Sequence, residues 1–244
     1  MVAAARLHRA GERRKTGLTV IEGPHTLEEA VLGGGVIEVI FAHPDDEDAR
    51  TLAAAHRLDL VEVDETALSR VAGTKTPRGP VAVIHIPSRP VAAASPGLLV
   101  AWSVGDPGNV GTLIRTAAAF GWGFGHGAGT ADPWSPKVLR SGAGAHFRIG
   151  IEAFSGVDEL TARGYSPLAA VVSGGIAPDR LAPGRYALLV GDEALGLPAE
   201  VVEASQDRVT ITMPGGTESL NVAMAAGIIV YELAKPERQD GGRV

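Results

Sequence analysis

No cysteine occurs among the 244 residues, which excludes disulfides, thiolate nucleophiles and cysteine-based zinc sites. A long apolar span is also missing, as is a basic-then-apolar leader at the start, so neither membrane insertion nor secretion is expected. The reducing cytoplasm is the expected compartment. No Walker-type Gly-Lys-Ser/Thr loop is present, which argues against a phosphate-loop nucleotide enzyme. His25 and His126 have no companions at metal-ligand or catalytic spacing, so no metal is expected. Basic residues are not in excess: 22 Lys plus Arg stand against 28 Asp plus Glu, a formal charge of −6. Broad, charge-driven nucleic-acid binding is therefore disfavoured, and any such binding must rest on local patches.

What is present is enough for a real core. Hydrophobic residues make up 45% of the chain, and the pattern predicts two α/β parts. In the first, strands are predicted at 18–22, 36–41, 59–63 and 79–86, with helical patterns through 27–32, 51–58 and 65–71. The Pro-, Ala- and Ser-rich stretch 89–97 reads as an exposed, semi-stiff linker. The predicted domains are thus 1–88 and 98–244.

The second part opens on Leu98–Val104, an apolar run of the kind a strand buried on both faces requires. A loop Gly105–Asn109 and a helix 110–120 follow, with Val110, Leu113, Ile114 and Ala117 on one apolar face. Arg115 sits on this helix; it either snorkels and pairs with an acid or points at a phosphate. Strands are predicted again at 167–172, 186–190 and 208–213. Each ends in a Gly-bearing polar loop: Ser173-Gly174-Gly175, Gly191–Pro198, and Pro214-Gly215-Gly216-Thr217. In a mainly parallel sheet such loops gather outside the carboxyl ends of the strands, where ligands bind.

The stretch Val209–Leu233 reads as strand, loop and helix. Ser219 and Asn221 suit the helix start, because their side chains can accept bonds from its unpaired N–H groups. A capped core helix after a turn and a ligand-binding loop both fit this pattern.

Positive charge is clustered locally. Arg13, Arg14 and Lys15 close a basic opening segment that is either a solvated arm or a phosphate-contacting one. Lys75 and Arg78 lie in Gly73–Gly79, a loop whose cations and hydroxyls suit a phosphate or a splayed nucleotide. Arg140 and His146 flank a small-residue loop that either accompanies a phosphate or forms a tight corner.

Three segments occur together in order: Asn109–Ala117, Gly191-Asp192-Glu193-Ala194-Leu195-Gly196-Leu197, and Ser219-Leu220-Asn221-Val222-Ala223. They resemble the three signature motifs of the SpoU/TrmH branch of the SPOUT RNA methyltransferases, over about three-fifths of the chain. Ile21–His25 and Thr74–Val81 resemble the L30e-like RNA-binding domain that often precedes that fold.

The resemblance implies an α/β catalytic domain whose end passes through a loop to form a trefoil knot, a homodimer, and S-adenosylmethionine as cofactor. It implies methyl transfer to a ribose 2′-hydroxyl of RNA, with ribosomal RNA of the 23S type favoured. Transfer RNA, or a non-catalytic RNA-binding role in ribosome assembly, is the alternative. Arg115 becomes the expected catalytic arginine, with Asn109, Glu193, Ser219 and Asn221 around it; Glu193 fits equally as a structural acid holding the knot. The cofactor is expected against Val190, Gly191, Ile211 and Met213, with Ser173, Gly174, Ser219 and Leu220 completing its site. The RNA is expected against Arg13, Arg14, Lys15, Lys75, Arg78 and Arg140. Two departures stand out: Asp192 replaces a common Asn or small residue, and Thr212 a common Pro.

Overall fold

In the computed structural model residues 1–77 and 79–235 are described; Arg78, one of the expected RNA contacts, lies outside them. Packing divides the chain into two compact units: Met1–Arg89 with Asp132–Arg148, and Pro90–Ala131 with 149–235. The α/β character expected of both parts is present.

The first unit begins with helices α1 (Val2–Arg6) and α2 (Ala10–Thr16). It continues through β1 (Leu18–Glu22), α3 (Pro24–Leu32), β2 (Ile37–Ala42), α4 (Glu47–His56), β3 (Leu60–Glu62), α5 (Glu65–Ala72) and β4 (Val81–His85). Its sheet has the order β1-β4-β2-β3, antiparallel except for β2 beside β3. The opening segment is not a free arm. Ala4 and Leu7 are buried with Val20, Phe41, Leu68 and Val71, because the apolar face of the first helices completes one side of this core. Helix α4 starts four residues before the predicted 51, since Asp46 caps it by accepting from the Ala49 amide at 3.0 Å.

The second unit contains β5 (Leu98–Ala101), α6 (Pro107–Ala119) and β6 (Gly123–His126). Helix α7 (Pro136–Gly142) then packs with the first unit. The second unit resumes with β7 (Ile151–Ala153), α8 (Val157–Ala162), β8 (Ser166–Ala170), β9 (Tyr186–Val190), α9 (Ala199–Ala204), β10 (Asp207–Val209) and α10 (Val222–Leu233). Every pairing among these strands is parallel, in the order β10-β8-β9-β5-β6-β7. Buried residues fill β5 and β9 completely, as a sheet covered on both faces demands.

The excursion 132–148 is where packing departs from the linear domain division expected from sequence. Leu139, Phe147 and Trp134 join a core with Ile21, Leu27, Ile40 and Ile84. Three arginine–carboxylate pairs reinforce this: Arg13 with Asp132, Arg140 with Glu22, and Arg148 with Glu29. Such long-range packing leaves no periodic trace in a local window, so a sequence reading places the excursion with its chain neighbours.

The last strand is shorter than the predicted 208–213. Its partner β8 ends at Ala170, opposite Val209, so beyond that point no neighbouring strand remains to continue the ladder. The Thr210 amide instead donates to the Ile176 carbonyl at 3.0 Å, and Ile211 and Met213 belong to a loop. Helix α6 also starts earlier than predicted, at Pro107, with Asp106 accepting from the Asn109 amide at 2.9 Å. Proline at the first helical position costs nothing there, because its missing N–H would have had no partner.

Candidate active site

The strand order reverses direction between β5 and β9, which lie side by side with Ala101 opposite Val190. Their following loops therefore leave the sheet together, at the position where parallel α/β sheets bind ligands. One loop leads to Asn109 in the first turn of α6; the other is Gly191–Leu197.

At this junction Asn109 donates from Nδ2 to the Glu193 carboxylate, and its Oδ1 accepts from Asn221 Nδ2 at 2.9 Å. Asn221 is itself the N-cap of α10, its Oδ1 accepting from the Ala223 and Met224 amides at 3.0 and 3.2 Å. One amide side chain thus closes a helix and ties it to a second element. Asn109, Glu193 and Asn221, each from a different motif, form a continuous relay.

The Gly191–Gly196 loop is a closed turn. Asp192 and Gly196 exchange backbone bonds, the Gly196 amide donating to the Asp192 carbonyl at 2.8 Å and the Asp192 amide to the Gly196 carbonyl at 3.2 Å. A Cβ on residue 191 would fall 2.3 Å from the Gly196 carbonyl oxygen, so only glycine permits the turn.

Beside this turn lies a cavity of about 240 Å³. Of the residues expected at the cofactor, Val190, Gly191, Ile211, Met213, Ser219 and Leu220 line it. Ser173 and Gly174 do not: they are exposed, on a loop whose next residue, Gly175, is instead bonded to the Thr210 hydroxyl at 2.9 Å. Sequence reasoning missed Ala170 and Val171 at the end of β8, and Ile229 of α10, which also form the walls. The adjacency of the strand ends would have indicated the first two.

Arg115 is exposed on α6 and makes no hydrogen bond or ion pair among the described residues. It is not part of the relay. Ser219 is exposed at the cavity.

The basic residues separate into two groups. Arg14, Lys15 and Lys75 are exposed. Arg13 is withdrawn from the expected RNA contacts, because it is only 3% exposed and its guanidinium is bonded to Asp132 at 2.5 Å and to the Leu7 carbonyl at 2.8 Å. Arg140 pairs with Glu22 at 2.9 Å while keeping part of its surface. His146 is no phosphate ligand: it is buried, its Nε2 lies 3.0 Å from the Pro133 carbonyl, and burial pushes its pKa down to about 4. The ring is therefore neutral near pH 7.

A relay and a cavity outside the carboxyl ends of a parallel sheet define a ligand-binding α/β enzyme fold, preceded here by a smaller α/β unit. Residues 97–231 match the model of the SpoU rRNA Methylase family, and residues 3–82 that of the MRM3-like substrate binding domain. The chain belongs to the SpoU rRNA methylase family and is an RNA methyltransferase. It is 38% identical over 234 residues to 23S rRNA (guanosine(2553)-2′-O)-methyltransferase RlmP of Bacillus subtilis, covering 93% of each chain. An AdoMet-bound rRNA methyltransferase from Sinorhizobium meliloti superposes with a TM-score of 0.82 at 26% identity, over 95% of this chain and 92% of that one. The SpoU methyltransferase AviRb of Streptomyces viridochromogenes, solved with AdoMet, gives 0.84 at 25% identity over 96% of both.

Proposed function

We propose that this enzyme transfers a methyl group from S-adenosylmethionine to a ribose 2′-hydroxyl of ribosomal RNA, with RNA of the 23S type as substrate. The observation that carries the reading is the Asn221–Asn109–Glu193 relay, which joins all three motif segments beside one cavity. The Bacillus subtilis relative, named for 23S rRNA, matches nearly the whole chain and so supports the substrate class.

The cavity suits the cofactor chemically. Val190, Ile211, Leu220 and Ile229 offer apolar walls, the loop backbones offer polar groups, and the Glu193 carboxylate favours a cation nearby. When bound, S-adenosylmethionine supplies a methyl group on a positively charged sulfur; a C–O bond to the ribose forms as the C–S bond breaks, and the electron pair stays on sulfur. Asn109, Glu193 and Asn221 hold the loops that orient this exchange, while Ser219 helps place the ribose. Arg115, uncommitted within the chain, faces the RNA. A free guanidinium is a poor base because it holds its proton throughout the ordinary pH range, so the reaction needs an RNA phosphate beside Arg115 and exclusion of water. With that help Arg115 steadies the developing alkoxide and takes or relays the hydroxyl proton.

Three further elements belong to this reading. Val209 lies between Ala170 on one side and Ile176 on the other, so residues 170–176 pass around the end of β10, as a trefoil knot requires. Met224, Ile228 and Tyr231 recur along α10 at helical spacing and remain exposed, which supports a homodimer covering them. Arg14, Lys15 and Lys75, which are exposed, and Arg140, which keeps part of its surface beside Glu22, are the RNA contacts of the first unit. A cytoplasmic location fits the cysteine-free composition; no helix of the described residues is long and apolar enough to cross a membrane.

The test is transfer of radiolabelled methyl from S-adenosylmethionine to purified large-subunit, small-subunit and transfer RNA, followed by alkaline hydrolysis. Label in an alkali-resistant dinucleotide from 23S RNA is expected. Label from transfer RNA alone overturns the substrate, and absence of cofactor binding overturns the activity.

A further inference from the structure

We infer that Asp192 is a positioning residue whose carboxylate shapes the Gly191–Gly196 wall of the cofactor cavity and aims Glu193 at Asn109. The inference rests on the function proposed above and assigns a role to a position that the motif resemblance leaves unexplained.

Glu193 lies inside a five-residue loop whose ends, Asp192 and Gly196, are joined by a pair of backbone bonds. That pair alone leaves the loop interior free to rotate. Asp192 Oδ1 removes the freedom by accepting from the Ala194 amide at 2.8 Å and the Leu195 amide at 3.0 Å. Aspartate hydrogen-bonding to backbone two residues ahead is a standard way of fixing a turn, and an ionised acceptor makes both bonds stronger than neutral ones. The loop has little else to hold its tip, since Leu195 is 88% exposed and packs against almost nothing. Glu193 is the residue enclosed between the acceptor and the two amides. With the turn fixed, its carboxylate reaches Asn109 Nδ2, and Asn109 in turn meets Asn221. The same turn presents Gly191 through Gly196 as one wall of the cavity. Asp192 therefore acts on the cofactor and on the relay through backbone geometry. Its requirement is an acceptor oxygen at this reach, more than a negative charge.

Calorimetric titration of S-adenosylmethionine into full-length protein separates geometry from charge. Asp192→Ala removes the acceptor and is expected to weaken binding about tenfold, the scale of losing two charge-assisted bonds in part compensated by water. Asp192→Asn keeps an oxygen at the same reach and is expected to recover most of that loss. Asp192→Glu keeps the charge but misplaces the oxygen, and is expected to bind as weakly as the alanine variant. Binding by Asp192→Ala within twofold of the parent overturns the inference. So does an Asp192→Glu variant that binds normally, or an Asp192→Asn variant as weak as alanine, since either outcome makes charge the operative property. Steady-state kinetics add the split that a purely structural defect does not produce: lower kcat for Asp192→Ala with the KM for RNA unchanged and the melting temperature held. Cofactor titration reads the turn whether or not any RNA is methylated, so failure of the substrate reading remains distinguishable.

Discussion

Asn221 donates from Nδ2 to Asn109 Oδ1 at 2.9 Å although the two residues are 112 positions apart. The same Asn221 caps α10 through its other amide atom, so stability and site geometry share one side chain. The two roles separate by mutation. Asn221→Asp keeps the capping oxygen and loses the donor, while Asn221→Ala loses both. The alanine variant is expected to lose about 1 kcal/mol of stability, read by calorimetry as a fall in melting temperature of roughly 2–4 °C. The aspartate variant is expected to melt near the parent and still lose methyl-transfer activity.

Arg115 has no partner among the described residues, so replacing it breaks nothing inside the chain. Arg115→Ala is expected to leave the melting temperature and S-adenosylmethionine affinity unchanged while lowering single-turnover methyl transfer by about 10² or more. Arg115→Lys is expected not to restore the rate, because a point charge does not reproduce the planar fork that spans two oxygens. Near-normal turnover by the alanine variant removes Arg115 from the mechanism.

Burial of His146 makes stability depend on pH in a stated direction. Its ring has an ordinary value near 6.5 in the unfolded chain and about 4 when folded. Between those values the unfolded chain binds a proton that the folded chain does not. Stability is therefore full above pH 6.5 and falls as pH drops through the window, by about 3 kcal/mol on reaching pH 4. Urea titrations from pH 7 to 4 check this, and His146→Gln is expected to flatten that part of the slope.

Arg13 and its neighbours Arg14 and Lys15 are adjacent in sequence and opposite in role. Asp132→Asn leaves the Arg13 guanidinium buried without its counter-charge and is expected to cost about 3 kcal/mol. The charge-reversed pair Arg14→Glu with Lys15→Glu touches only surface, so it is expected to leave stability within about 0.5 kcal/mol. Its effect falls on RNA: weaker binding, with the dependence of affinity on salt reduced by about 0.7 per lost contact for a single strand. Filter binding at several salt concentrations reads both quantities.

Local chemistry determined much of what the sequence shows by itself. Apolar or alternating runs gave the strands of the first sheet and β5, β8, β9 and the start of β10 in the second, while glycine-rich β6 and three-residue β7 left no such run, and a cap residue at Asn221 announced α10. The three motif segments could be identified in order, since each carries side chains and glycines that a backbone-lined cavity needs.

Tertiary structure decided what depends on partners far along the chain. Arg13 is indistinguishable from Arg14 in sequence; only Asp132, 119 residues away, turns it inward. The end of β10 at Val209 was set by where β8 stops, so the alternating Ile211 and Met213 became cavity walls in place of strand. Excursion 132–148 packs with the first unit because its aromatic residues and arginines find partners there, which no local window reports. Likewise, Asn109 meets Glu193 because β5 and β9 are neighbours in the sheet, and Asn221 joins them because α10 packs against α6, consequences of strand order and helix packing that composition and periodicity do not encode.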